Sequence, residues 1–378
     1  MPDEITERFK KIYKANLNVR PGERVLVFTD LVAEGEKPDE AGFRRRKGLV
    51  RLARAAGEAA GGLGFDTFYL EFPALGSHGS EPGEDLWRLA FGEDTVVALG
   101  EKGLLGRIMS KTASKEDLRE AKEIVLAGKG SAVSVVIALS NYSTSHTRFR
   151  DLLTSAAGAR YASMPLFEED MLFGSMEADW EEVAARSRRI ADAIDGAGKA
   201  RITTLEGTDI TFGIAGRKPM IDTGMLHEPG SFSNLPAGEV YLAPVEGTGE
   251  GSLKLLWAPN RRLETPVTVM VRKGLAAEVK GDEPFAREFR EALDRAPGNR
   301  NLAELGIGTN DRATKPDNVL ESEKIFGTIH LAFGDNSSFG GTVSAPFHQD
   351  FVFFRPTLAV SGSDTPETII LDSGRLVI

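Results

Sequence analysis

The chain has 378 residues, 41% hydrophobic and 27% charged, with 56 acidic side chains against 46 basic ones and a formal charge of −10. Enough apolar surface is present to offset the entropy of ordering a core, which excludes a disordered or fibrous chain, and the length predicts two domains. The acidic balance disfavours nucleic acid and membrane as partners, and the absence of cysteine excludes disulfides, thiolate nucleophiles and sulfur-held metal.

Residues 1–20 alternate charged and apolar side chains and lack the apolar core of a secretory signal, so a cytoplasmic location is expected. Residues 25–28 form a short apolar run entered through Pro21-Gly22, and 49–60 an alanine-rich helix bearing Arg51 and Arg54. Strand-like 67–72, helical 118–127, strand-like 132–139 and helical 148–157 follow. Strand and helix taking turns predict an α/β layer with a largely parallel sheet. The run 132–139 is the most apolar in the chain yet far shorter than the ~20 residues that cross a bilayer, so it reads as a buried strand.

Trp180, Val183, Ser187, Ile190, Ala191 and Ile194 recur at spacings of three and four, which predicts an amphipathic helix over 179–197, ended by Gly196 and Gly198. Short strands then follow at 201–205, 210–214, 239–245, 253–257 and 267–271, separated by Gly, Asp and Asn turns and interrupted later by a helix at 284–296. Strands without intervening helices predict an antiparallel or mixed sheet. The predicted organisation is an N-terminal α/β domain over 1–185 and a C-terminal α+β domain over 186–378.

Chemistry concentrates in the second half. Of five histidines, His348 opens a His-x-Asp triplet with Asp350, whose first and third side chains share one face of a strand. His330 lies in the nearly wholly apolar GTIHLAFG, where an imidazole needs a partner to offset its desolvation. Glu239 in NLPAGEVYLAP and Glu304 in NLAELGIG are carboxylates in similar apolar, glycine-rich settings. Nitrogen and carboxylate oxygen without sulfur suit Zn²⁺, Co²⁺, Mn²⁺ or Fe²⁺. Other features have plainer readings. His78 sits in a loop, His227 in another loop close enough in sequence to Glu239 to line the site, and Arg44 to Lys47 read as a solvated helix start. His146 and Arg148 begin a helix, where a substrate-carboxylate contact competes with a cap and a salt bridge, and Gly247 to Gly251 read as a hairpin turn.

At NLPAGEVYLAP, ELGIGTN, IHLAFG and HQD, in that order, the chain resembles the M29 metallo-aminopeptidases of the aminopeptidase T group. The resemblance is sharp from about residue 200 onward, and it implies a two-domain, usually homodimeric protein holding two divalent ions (Zn, Co or Mn) in its C-terminal domain. Carried over residue by residue, Glu239, Glu304, His330, His348 and Asp350 would be ligands, with Glu323 as a further candidate and Glu321 its competitor. The family's tyrosine shortly after the histidine is replaced here by Ser337, leaving Tyr241 or Arg217 as alternative supports for a developing oxyanion.

The function this implies is hydrolysis of the N-terminal residue of a peptide by a water activated between two ions, with Glu304 as proton shuttle and Arg217, Tyr241, His227 and Ser337 as candidate substrate contacts. A ring-cleaving non-haem iron dioxygenase acting on dihydroxypyridine resembles the same architecture. In that alternative His330, His348 and Asp350 would hold a single Fe²⁺ and the substrate is a small molecule. A third alternative is a metal-binding homologue without activity.

Overall fold

The computed structural model describes residues 2–362 and 367–378. The chain folds as two units, Met1–Met176 with Gly224–Leu235, and Glu177–Thr223 with Pro236–Ile378. The expected division between residues 185 and 186 falls inside a helix of the second unit.

In the first unit the order is α1 (Pro2–Lys11), β1 (Arg24–Leu31), α2 (Glu40–Gly62), β2 (Asp66–Pro73), α3 (Glu84–Phe91), α4 (Glu93–Glu101), α5 (Leu104–Met109), α6 (Lys115–Gly128), β3 (Val135–Ala138), α7 (Arg148–Ser155), β4 (Arg160–Ser163) and α8 (Glu169–Phe173). The second unit opens with α9 (Trp180–Ile194), β5 (Lys199–Thr203), β6 (Asp209–Gly213) and β7 (Met220–Asp222), and β8 (Phe232–Asn234) returns to the first. The remainder is β9 (Glu239–Leu242), β10 (Glu250–Ala258), β11 (Arg261–Arg272), β12 (Leu275–Lys280), α10 (Pro284–Asp294), β13 (Leu302–Gly308), α11 (Val319–Ser322), β14 (Ile329–Gly334), β15 (His348–Phe353), β16 (Thr357–Ser361), β17 (Thr368–Asp372) and β18 (Arg375–Leu376).

The first unit is built on a parallel sheet of order β2-β1-β3-β4-β8, as the alternation of strand and helix predicts. Val25 to Phe28 and Val135 to Ala138 are buried without interruption, the pattern of strands covered on both faces. Helices start where side chains satisfy free amides: Asp39 caps α2, Ser114 and Asp117 form a capping box on α6, and Thr147 caps α7. Residues 84–109, unassigned by periodicity, form the short helices α3, α4 and α5, broken at Gly92 (φ 85°) and Gly103 (φ 66°). The basic run before residue 48 is not simply solvated. Arg46 is buried against Glu36 and lies over the Tyr142 ring, 5.1 Å from its centre.

The second unit holds two antiparallel sheets around one core. The larger runs β12-β11-β10-β6-β5-β16-β17-β18 and the smaller β15-β14-β13-β9-β7. Ile190 and Ile194 of α9, Phe212, Leu253, Leu305 and Phe333 belong to the same buried cluster. From α10, Phe289 packs 5.0 Å from the ring of Phe351. Gly247 to Gly251 is not a hairpin turn: it carries the chain from β9 of the smaller sheet to β10 of the larger. At Gly251 a β-carbon would stand 2.2 Å from the Asp209 carbonyl oxygen, so strand pairing there requires glycine. Among the described residues no helix is long and apolar enough to cross a membrane.

Candidate metal centre

The smaller sheet separates chemistry from core by the two-residue period of its strands. On one face stand Val240, Leu242, Leu305, Ile307, Ile329, Leu331, Phe333, Phe351 and Phe353, all buried in the apolar cluster. The alternating positions carry Glu239 and Tyr241 on β9, Glu304 on β13, His330 on β14, and His348 and Asp350 on β15. Register brings them together across the strands, with Tyr241 opposite Gly306, Gly306 opposite His330, and Ala332 between Glu304 and Asp350. Glycine and alanine at these intervening places leave room above the sheet. A β-carbon at residue 306 would lie 1.9 Å from His330 Nε2, so the imidazole occupies the volume that glycine vacates.

Within this face two donor sets form: Glu239, Glu304 and His330, and Glu304, His348 and Asp350, the ligand atoms of each lying within 4.8 Å of one another. Glu304 is common to both. Its Oε1 is 3.3 Å from His330 Nε2 and its Oε2 is 3.3 Å from His348 Nε2. Glu239 Oε2 lies 3.4 Å from His330 Nε2, and Asp350 Oδ2 lies 3.5 Å from His348 Nε2. His348 is oriented from behind, its Nδ1 being 2.7 Å from the Asp335 carbonyl oxygen, which sets Nδ1 as a donor and turns Nε2 to the cluster.

The donors fit a divalent cation. Each imidazole Nε2 faces two carboxylate oxygens although one N–H satisfies only one, and Glu239 Oε2 is buried with no hydrogen-bond partner. Protonation preferences carry the same message. Burial alone would lower His330, but Glu304, Glu239 and Asp350 lift it to about 9. Burial is likewise overcome at His348, which Asp350 and Glu304 raise well above the ordinary value. Burial raises Glu304 and Asp350, and the imidazoles outweigh it, holding both carboxyls below their usual range. The carboxylates demand positive charge between them, and a metal ion competes with protons for the same lone pairs.

Glu323 lies outside both donor sets. Its Oε2 is 3.3 Å from Lys324 Nζ, and burial together with Asp350 pushes its pKa up to about 8. Glu321 is turned elsewhere, its Oε1 accepting from the amides of Thr314 and Lys315 at 2.5 and 3.1 Å. Lys324, which no sequence pattern singled out, is buried with its ammonium 2.6 Å from Glu239 Oε1.

The candidate substrate contacts are distributed differently. Tyr241 shares the face with Glu239, and burial followed by the Glu239 charge raises its pKa, keeping the phenol protonated. Its ring is 5.9 Å from that of Phe339, which in turn lies 5.9 Å from the His348 ring. Phe339, also missed in the sequence, thus belongs to the site's surroundings. Arg217 is ion-paired to Glu246, whose Oε1 receives the Asn336 side-chain amide at 3.0 Å and the Thr342 amide at 2.7 Å. The pair therefore pins the loop joining β14 and β15. Ser337 bonds through its hydroxyl to Asp335 Oδ1 at 3.1 Å. His227 belongs to the first unit, with Nε2 2.8 Å from the Ala15 carbonyl oxygen.

Volume alone does not mark this centre. A cavity of about 380 Å³ lies in the first unit, lined by Glu81, Lys111, His146 and Arg148 among others. Beside Glu323 and Asp350 there is space of only about 10 Å³, bordered by Trp257 and Pro316. The donor chemistry, rather than cavity size, identifies the site.

Comparison with known proteins follows the same lines. The structure of 2,5-dihydroxypyridine dioxygenase from Pseudomonas putida KT2440 matches with a TM-score of 0.69 at 18% identity, over 100% of this chain and 98% of that one. Wild-type AmpT from Thermus thermophilus, an M29 aminopeptidase, matches with a TM-score of 0.56 at 16% identity, over 100% and 99%. At these identities both likenesses establish the fold, and the resemblance to M29 aminopeptidases stands at that level. No curated protein matches the sequence. The sequence profile of the family described as NicX, 2,5-dihydroxypyridine 5,6-dioxygenase, matches residues 108–377, and with that span, which includes every donor of the two sets, the chain belongs to the NicX family.

Proposed function

We propose that the chain is a mononuclear non-haem iron dioxygenase that opens a hydroxylated heteroaromatic ring of the 2,5-dihydroxypyridine kind. The observation that carries this reading is the convergence of two imidazoles with carboxylates on one sheet face, His330 and His348 flanking Glu304 and Asp350 beside His348. Two histidines and a carboxylate suit Fe²⁺ with positions left for other ligands. Membership of the NicX family supports it. The Phe339 ring, edge-on to both Tyr241 and His348, supplies an aromatic wall against which a planar substrate can pack.

Fe²⁺ held by His330, His348 and Asp350, donors drawn from the two sets that meet at Glu304, would supply a redox path from an electron-rich ring to O₂. The chain's residues do the remaining work. Glu304, between the imidazoles, is placed to take the proton of a substrate hydroxyl, and Tyr241, held as a phenol, can donate to oxygen that gains charge. The Asp335 carbonyl keeps His348 from rotating. In the overall reaction one ring carbon–carbon bond breaks and both atoms of O₂ enter the product, so no external reductant is consumed.

A dinuclear aminopeptidase is the second reading, favoured by one observation: the two oxygens of Glu304 face different imidazoles, as a carboxylate between two Zn²⁺ or Co²⁺ ions would. Anaerobic loading with Fe²⁺ followed by oxygen-electrode and ultraviolet assays on dihydroxypyridines separates the two. Oxygen uptake matched to loss of ring absorbance is expected. Release of amine from an aminoacyl anilide by the Zn²⁺ or Co²⁺ form, with no oxygen uptake by the Fe²⁺ form, would overturn the dioxygenase reading.

A further inference from the structure

Lys324 is the one lysine buried among the described residues, and its side chain is 2% exposed. An ammonium in such a place is costly unless paired. It is delivered there by its backbone. The Lys324 amide donates to the Glu321 carbonyl at 2.9 Å, and its own carbonyl accepts from the Asn310 amide at 2.9 Å. The next carbonyl, of Ile325, passes so close to Gly308 that a β-carbon there would stand 2.1 Å from the oxygen. The strap from 323 to 326 is thus fastened over the functional face of the sheet, and Lys324 Nζ reaches Glu239 Oε1 at 2.6 Å and Glu323 Oε2 at 3.3 Å.

We propose that Lys324 supplies, as a fixed part of the chain, the positive charge that a second divalent ion would otherwise bring, so that the centre takes one ion and Glu239 is withdrawn from ligation. Glu239 belongs to the first set alone, whereas Glu304 belongs to both, and one of the two Glu239 oxygens is already engaged by the ammonium while the other faces His330 at 3.4 Å. Charge favours the same count. A second divalent ion on the remaining oxygen of Glu239 would stand against the ammonium fixed 2.6 Å from the other oxygen of the same carboxylate, and the two positive charges would repel in a buried site. Lys324 would act as a positioning residue, holding Glu239 near His330 without touching the reacting atoms. The inference deepens the mononuclear reading above and rests on it.

The test is metal stoichiometry by elemental analysis of the full chain, stripped with chelator and reloaded with excess Zn²⁺, which needs no knowledge of the reaction. Wild type and Lys324→Arg are expected to hold one ion per chain and Lys324→Gln two. Two ions in wild type, or one in folded Lys324→Gln, would overturn the proposal. Should Lys324→Gln not fold without metal, refolding in excess Zn²⁺ is expected to recover it with two ions, and failure of that recovery overturns the proposal equally. A ratio of one with no oxygen uptake would sink the ring-opening reading while leaving the role of Lys324 intact. A ratio of two in wild type sinks the latter whatever reaction is found.

Discussion

Gly306 lies directly beneath His330: a β-carbon on residue 306 would stand 1.9 Å from Nε2 and 2.0 Å from Cε1 of the imidazole. The ring cannot keep its place above an alanine. Gly306→Ala is therefore expected to displace His330 and to weaken metal binding by at least about 10-fold, in the range seen when ligand orientation is lost. Titration with Fe²⁺ or Zn²⁺, alongside circular dichroism to show an intact sheet, checks this. Unchanged affinity would mean that His330 is not a ligand.

Glu304 stands between the imidazoles, and either proposed reaction needs it ionised. Glu304→Gln keeps the shape and removes the charge. Turnover should fall by roughly 10²-fold or more, as for the loss of a general base. Metal content should fall much less, provided that His330, His348 and Asp350 suffice to hold an ion. Parallel measurement of metal content and kcat distinguishes the two effects.

Phe339 supplies no donor atom, yet its ring is 5.9 Å from both Tyr241 and His348. An aromatic contact of this kind is worth about 0.5–1.5 kcal/mol, so Phe339→Leu should raise KM for an aromatic substrate by roughly 2- to 13-fold with little change in kcat. An aliphatic aminoacyl substrate should feel the change less. Steady-state kinetics on both substrate types decide which class this wall serves.

Arg217 and Glu246 give a prediction about stability. Burial raises the Glu246 carboxyl, but hydrogen bonds from Thr342 and Asn336 and the charge of Arg217 outweigh it and leave the group below its ordinary value. A carboxyl depressed in the folded state stabilises at pH above its unfolded value of about 4.3, and that contribution is lost as pH falls through the folded value. Arg217→Ala should destabilise the chain at pH 7 by about 1–3 kcal/mol and flatten the acid-side decline in melting temperature. A large loss of substrate affinity without destabilisation would instead make Arg217 a substrate contact.

Lines of residues that needed only local information were legible before any fold was known. The alternation in EVYL, ELGIG, IHLAFG and HQD places apolar and donor side chains on opposite faces because strand side chains alternate, whatever the strands pair with. The same locality identified the α9 helix by its three-and-four spacing. Residues 84–109 resisted because the helices there are short, interrupted by glycine and held by the core rather than by their own periodicity.

By itself, then, the sequence determined the donor types, their strand faces and the absence of sulfur, since these follow from composition and a two-residue repeat. Only the tertiary structure decided which carboxylates meet. Register set Glu304 between two imidazoles, a strap fastened at Gly308 and Asn310 delivered Lys324 to Glu239, and backbone amides drew Glu321 aside. Those outcomes depend on contacts between residues from 6 to 85 positions apart, where packing and hydrogen bonding, not the repeat of a helix or strand, select the partner.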